Sequence, residues 1–351
     1  MLGRLNICSK EYLIRQYDHE VKGGSVVKPL TGVKRDGPSD AGVIRPILES
    51  EAGLVISHGI CPKYSDYDAY WMMANAMDEG IRNAVAVGAD PDRMAGVDNF
   101  CWCDPVQSEK TPDGEYKLAQ LVRANQALAD YTKAFLVPCI SGKDSMKNDS
   151  TRGGRKISIP PSLLFSMIAK MDDVSKAVTP DAKQPGDLVY VIGMTRPELG
   201  GSEYFAMLDA LGNNVPKVDA GKAKAIYKAV SAATEAELVH SLTTPALGGL
   251  AVAFARTAMA GRLGLEIDLD AIPAENCSDL EKLFSESNSR FVATVPPANR
   301  AAFEEKLKGV TCALVGTVTM RNELILRSRN GRKTIALDAL LEEYKGTLDS
   351  I

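Results

Sequence analysis

Three histidines in 351 residues, His19, His58 and His240, are too few and too scattered for a histidine-rich metal site. Cysteine is no better placed. Cys101-Trp102-Cys103 has no second cysteine pair or histidine cluster to complete a zinc tetrahedron, so it reads as two packed thiols on a strand or turn. The seven cysteines are odd in number and irregular in spacing. The apolar surroundings of Cys139 and Cys312 predict reduced core thiols in a cytoplasmic protein. No apolar run approaches the roughly 20 residues that span a bilayer. Met1 to Cys8 is too short and too polar for a secretory segment. A formal charge of −4 gives no general attraction to nucleic acid or anionic membrane, so any phosphate recognition must be local. The standard nucleotide loops are missing too. Position 137 is Val where a Walker A loop ending at Gly142-Lys143 needs Gly, and Gly193 to Glu203 lacks the G-x-G-x-x-G spacing.

What is present fits a soluble globular chain, 45% apolar and 25% charged, long enough for two cores. The polar, proline-bearing stretch from Ser175 to Pro185 divides it into residues 1–180 and 185–351. A helix capped by Asp66 or Asp68 is predicted to run to Val87, with Tyr70, Met73, Met77, Ile81, Ala84 and Val85 at the helical period and Gly88 closing it. A second is predicted over Glu115 to Thr132, with Leu118, Leu121, Val122, Ala124, Leu128 and Tyr131 on its apolar face. Beyond Pro185 the alternation of strands and helices has α/β rhythm.

Chemistry gathers in Leu136 to Asn148, read as a buried strand that breaks at Gly142 into a turn bearing Lys143, Asp144, Ser145 and Lys147. Such a turn suits nucleotide phosphates, a metal, or both. Asp98-Asn99, at the end of an apolar strand, reads as a ligand pair or as a capping turn. Ser150 to Lys156 reads as a polar loop with two arginines. Arg15 to His19 reads either as a functional run or as a solvated helix.

Seven blocks together resemble one family. They are Arg15-Gln16-Tyr17-Asp18-His19, Ala76 to Pro91, Asp98-Asn99-Phe100, Ser141 to Met146, Glu198 to Tyr204, Gly248 to Ala253 and Ser285 to Phe291. In this order, and from about residue 11 to 348, they look like the second half of phosphoribosylformylglycinamidine synthase, within the aminoimidazole ribonucleotide synthetase-like superfamily. The resemblance implies an N-terminal barrel-forming α+β domain followed by a C-terminal α/β domain. It implies half of an ATP-dependent C–N ligase of purine biosynthesis, using ATP and Mg2+ to turn formylglycinamide ribonucleotide into its amidine with ammonia. It also implies partners: a first-half synthetase unit, a glutaminase subunit and a small bridging subunit. Two copies of this chain can substitute for the first-half unit in closing the barrel.

Carried over by position, Asp98, Gly142 and Lys143 would face ATP and Ser145 the substrate. No catalytic residue would lie in this half. Lys143 has no lone pair for a metal while charged, so it would meet phosphate as a point charge; the metal ligand is left open, with Asp144 one candidate. Thr243 to Leu250 keeps the family's glycines without its acids, which implies a silent or structural second site. The competing expectations are a non-catalytic partner unit and another ATP-using member of the superfamily.

Overall fold

The computed structural model describes residues 1–349. Strands in the first part are Ser25–Val27 (β1), Leu30–Thr31 (β2), Gly37–Pro38 (β3), Gly42–Ile44 (β4), Gly53–Ile60 (β5), Met94–Cys101 (β6), Cys139–Ser145 (β7), Asp149–Arg152 (β8), Arg155–Ser158 (β9) and Ser162–Met171 (β10). Helices there are Glu11–Ile14 (α1), Ala69–Ala86 (α2) and Gly114–Phe135 (α3). Six strands form one sheet in the order β1-β4-β5-β10-β6-β7, antiparallel except for the parallel β6/β7 pair at its edge.

Alternation along β5 and β10 explains the layering. Val55, Leu163, Phe165, Met167 and Ala169 point into the core under α2 and α3. The opposite face stays uncovered, with Ile56 50% and Ile60 41% exposed.

Helix α2 follows its predicted pattern. The Asp68 side chain accepts from Tyr70 N, Met73, Met77, Ile81 and Val85 are buried, and Gly88 takes a positive φ just beyond the end. Helix α3 buries Ala124 and Tyr131 of the predicted face and half-buries Leu121 and Leu128. Leu118 and Val122 are exposed, while Lys117 and Gln120 are buried because each has a partner: Lys117 Nζ donates to Ser158 Oγ (3.0 Å) and Gln120 Nε2 to Ser65 O (3.1 Å). Hydrogen bonding let two polar residues take inner positions, so the helix lies where the period put it while two of its apolar residues face out.

The second part carries Leu188–Ile192 (β11), Ser241–Thr243 (β12), Gly264–Asp268 (β13), Phe291–Val295 (β14), Cys312–Thr319 (β15), Glu323–Ser328 (β16) and Gly331–Ala336 (β17). Its helices are Glu203–Met207 (α4), Ala220–Glu235 (α5), Gly249–Gly261 (α6), Asp279–Phe284 (α7), Arg300–Lys306 (α8) and Leu337–Asp349 (α9). The seven strands order β12-β14-β11-β15-β13-β16-β17, with β13/β16 the parallel pair. Both faces of this sheet are covered, which is why Leu188 to Ile192 is apolar throughout. Tyr190 and Ile192 join the core that continues to α2 and α5, while Val189 and Val191 join a second core with α6, α9 and the N-terminal Leu2 and Ile7.

Candidate functional site

The stretch around Gly142 is a strand, not a turn. Leu136 sits at φ 60° as the C-cap of α3, and Ile140 is 64% exposed. Of the expected buried run only Val137 lies deep in the core. β7 begins at Cys139 and runs through the glycine to Ser145, paired on one side only. As an edge strand it leaves its outer backbone edge unpaired. Cys139 is correspondingly exposed, which corrects its expected place in an apolar core; Thr132 Oγ1 lies 4.0 Å from its Sγ.

Being a strand, β7 sorts the candidate residues by parity. Asp98 pairs with Gly142 and Phe100 with Asp144, so Asp98, Gly142 and Asp144 lie on the helix-covered side. Asn99 pairs with Lys143 and Cys101 with Ser145, which puts Lys143 and Ser145 on the open side. The expected ATP set is therefore divided, with Lys143 beside Ser145, to whose hydroxyl it donates.

Contact explains the glycine at 142. A Cβ there would lie 3.0 and 3.1 Å from the Asp98 carboxylate oxygens. Burial, reinforced by the nearby Asp144 charge, raises the Asp98 carboxyl above the usual range. On the other face Asn99 Oδ1 is buried without a hydrogen-bond partner, an acceptor facing the Lys143 side. Asn99 was legible only as half of the Asp98-Asn99 dipeptide.

Arg15 to His19 is not a helix. α1 ends at Ile14, and the run continues as a loop with Tyr17 74% exposed. With Lys28, Leu30 and Arg35 it lines an open cleft of about 400 Å³. His19 Nε2 lies 2.7 Å from Ile14 O.

The glycine loop at 193–203 builds a buried charge hub that its spacing did not announce. Ser202 caps α4, so Glu203 starts the helix fully buried. Arg4 (2.5 Å), Asn6 (2.7 Å) and Lys63 (2.5 Å) converge on its carboxylate. Burial alone would raise its pKa, but those donors prevail and hold it at about 2. Glu203 N donates to Glu286 Oε1 (2.9 Å), as does Gly248 N (2.9 Å), and Tyr64 donates to Glu286 Oε2 (2.9 Å). Burial pushes Glu286 up to about 7. Gly248 and Gly249, both at positive φ, open α6 beside it. Where the family's acids are missing, Thr243 and Thr244 lie beside the Asp40 carboxyl, which burial raises to about 6.

Residues 184–328 match the family described as AIR synthase related protein, C-terminal domain. The phosphoribosylformylglycinamidine synthase subunit PurL of Methanocaldococcus jannaschii is 32% identical over 310 residues, covering 88% of this chain and 40% of that protein. The Thermococcus gammatolerans subunit of the same name is 35% identical over 309 residues, 88% of this chain and 39% of that protein. This chain thus spans about two fifths of the length of these relatives. Among solved structures, T. maritima PurL complexed with FGAR superposes with a TM-score of 0.70 at 20% identity, covering 89% of this chain and 49% of that one. AaThiL complexed with AMPPCP and TMP does so with 0.61 at 11% identity, covering 92% and 94%. These likenesses show the aminoimidazole ribonucleotide synthetase-like fold. Residues 184–328 thus resemble the AIR synthase related C-terminal domain, and across most of its length the chain is similar to part of phosphoribosylformylglycinamidine synthase subunit PurL.

Proposed function

We propose that this chain is the second half-unit of a phosphoribosylformylglycinamidine synthase, an ATP-dependent C–N ligase, lending one wall to an active site that a first-half unit completes. The observation that carries the reading is coverage. The M. jannaschii PurL alignment takes in 88% of this chain and only 40% of that protein, and the β5/β10/β6/β7 sheet leaves one apolar face without a cover. In this reading residues 1–180 form the nucleotide-binding barrel half and 185–351 the domain that flanks it. Partners are the first-half unit, a glutaminase subunit and a small bridging subunit, in the cytoplasm. Among the described residues no helix is long and apolar enough to cross a membrane.

Asp98, Gly142 and Lys143 would meet ATP and Ser145 the ribonucleotide, the ligands straddling the exposed edge strand β7. Asp98 and Asp144, like charges on one side, fit magnesium as the one or two carboxylates it takes alongside phosphate oxygens. Bound there, the ion would neutralise charge on the transferred phosphoryl group. Lys143 would add a fixed positive charge from the opposite face, and Asn99 a free acceptor for a ligand donor.

The isolated chain with ATP, formylglycinamide ribonucleotide and ammonia is expected to give no turnover, and addition of a first-half unit to restore it. Turnover by the chain alone would overturn the reading. Gly142→Ala is expected to push the Asp98 carboxylate aside and weaken nucleotide binding about tenfold in calorimetric titration. Its melting temperature should hardly move, since Gly142 has no left-handed backbone and sits exposed.

A further inference from the structure

The hairpin that follows β7 breaks a rule of strand pairing. β8 and β9 are joined by Gly153-Gly154, at φ 56° and 76°, a two-residue turn that glycine enters without strain. The register then sets Arg152 directly opposite Arg155. Directly opposed residues share a face with Cβ atoms about 4.5–5.5 Å apart, and like charges so placed destabilise a hairpin.

Nothing at the tip relieves that repulsion. Among the described residues neither guanidinium has an ion pair or a side-chain hydrogen bond. A Cβ on either turn glycine would meet nothing within 4 Å. The base of the same hairpin, by contrast, carries ion pairs and hydrogen bonds. Lys156 reaches Asp149 (3.3 Å) and Thr111 Oγ1 (2.8 Å), Lys147 lies 3.7 Å from Asp104, and Asp104 N donates to Asp149 Oδ2 (3.0 Å). A clamped base thus presents a bare cationic tip. Residues 143–156 hold five cations and two acids in a chain of net charge −4.

We propose that Arg152 and Arg155 form a fork for a phosphoryl oxyanion. Two planar guanidiniums on one face can each donate paired N–H bonds to one phosphate group, which turns their repulsion into binding. The choice of phosphate over carboxylate rests on the nucleotide reading of the adjoining β7; the anion preference follows from the pair itself. The phosphate comes either from a nucleotide polyphosphate or from the monoester of a ribonucleotide.

The test titrates the full chain calorimetrically with tripolyphosphate and with ribose 5-phosphate, in the wild type, Arg152→Ala/Arg155→Ala and Arg152→Lys/Arg155→Lys. One probe is expected to lose at least tenfold in affinity in the double alanine variant and less in the double lysine variant. The probe that responds identifies the source. Without anion the alanine variant should melt no lower than wild type, because it removes a repulsion. Equal affinities in wild type and alanine variant for both probes, or no binding of either probe by wild type, would overturn the fork. The same titration on Asp98→Ala separates the two readings: a fork that still binds there stands even if Asp98 proves irrelevant to turnover.

Discussion

Asp98→Ala, in the chain reconstituted with a first-half unit, is expected to lower kcat/KM for ATP by roughly 10²–10³-fold, the usual consequence of removing one preorganised electrostatic group from a phosphoryl-transfer site. The carboxyl lies on the helix side of the sheet edge against a glycine that leaves room for nothing larger. Burial and the Asp144 charge both disfavour its ionised form, a tension that a bound cation would release. Asp98→Asn keeps the shape and removes the charge, so it should lose nearly as much if the carboxylate serves as a magnesium ligand. Lys143→Ala, on the opposite face and hydrogen-bonded to Ser145, should chiefly raise KM for ATP. Unchanged steady-state kinetics in both Asp98 variants would assign the chain a structural role, pairing with the first unit without facing its ligands.

Glu286→Gln should make the protein more stable than wild type at neutral and alkaline pH, by on the order of 2–3 kcal/mol, and the gain should vanish toward pH 4.5. The buried carboxyl has a folded pKa of about 7 against an ordinary 4.5, so the fold holds its proton more tightly than the unfolded chain does. Stability therefore falls as pH rises from about 4.5 to 7 and is flat above. Asp40, raised to about 6, acts in the same direction. Glu203 acts oppositely: its carboxyl is held at about 2, so its contribution is complete above 4.5 and is lost as pH falls toward 2. Glutamine retains an oxygen for the Gly248 and Glu203 amides and an NH2 for the Tyr64 oxygen, so the network survives the substitution. Urea unfolding of both proteins at pH 5 and pH 8 checks this; a difference that is the same at both values would show that Glu286 does not titrate in the window.

Local signals carried the sequence reading where the structure is local. The Asp68 cap and the 3.6-residue period placed α2. Short family blocks in a fixed order carried the fold class and the relation to PurL. What the sequence could not contain was pairing between distant segments. Whether Leu136 to Ser145 is a buried strand or an exposed edge depends on there being β6 on one side and nothing on the other, a fact no window around Gly142 holds. On α3, Lys117 and Gln120 took inner positions that the apolar period did not mark, because they found hydrogen-bond partners 41 and 55 residues away. The polar loop at 150–156 became a hairpin through cross-strand register, and register alone set Arg152 against Arg155. Composition and periodicity thus determined which segments are helix or strand and which residues can bear charge. Tertiary pairing decided which face each charge occupies, because strand parity is fixed only once the neighbouring strand is in place.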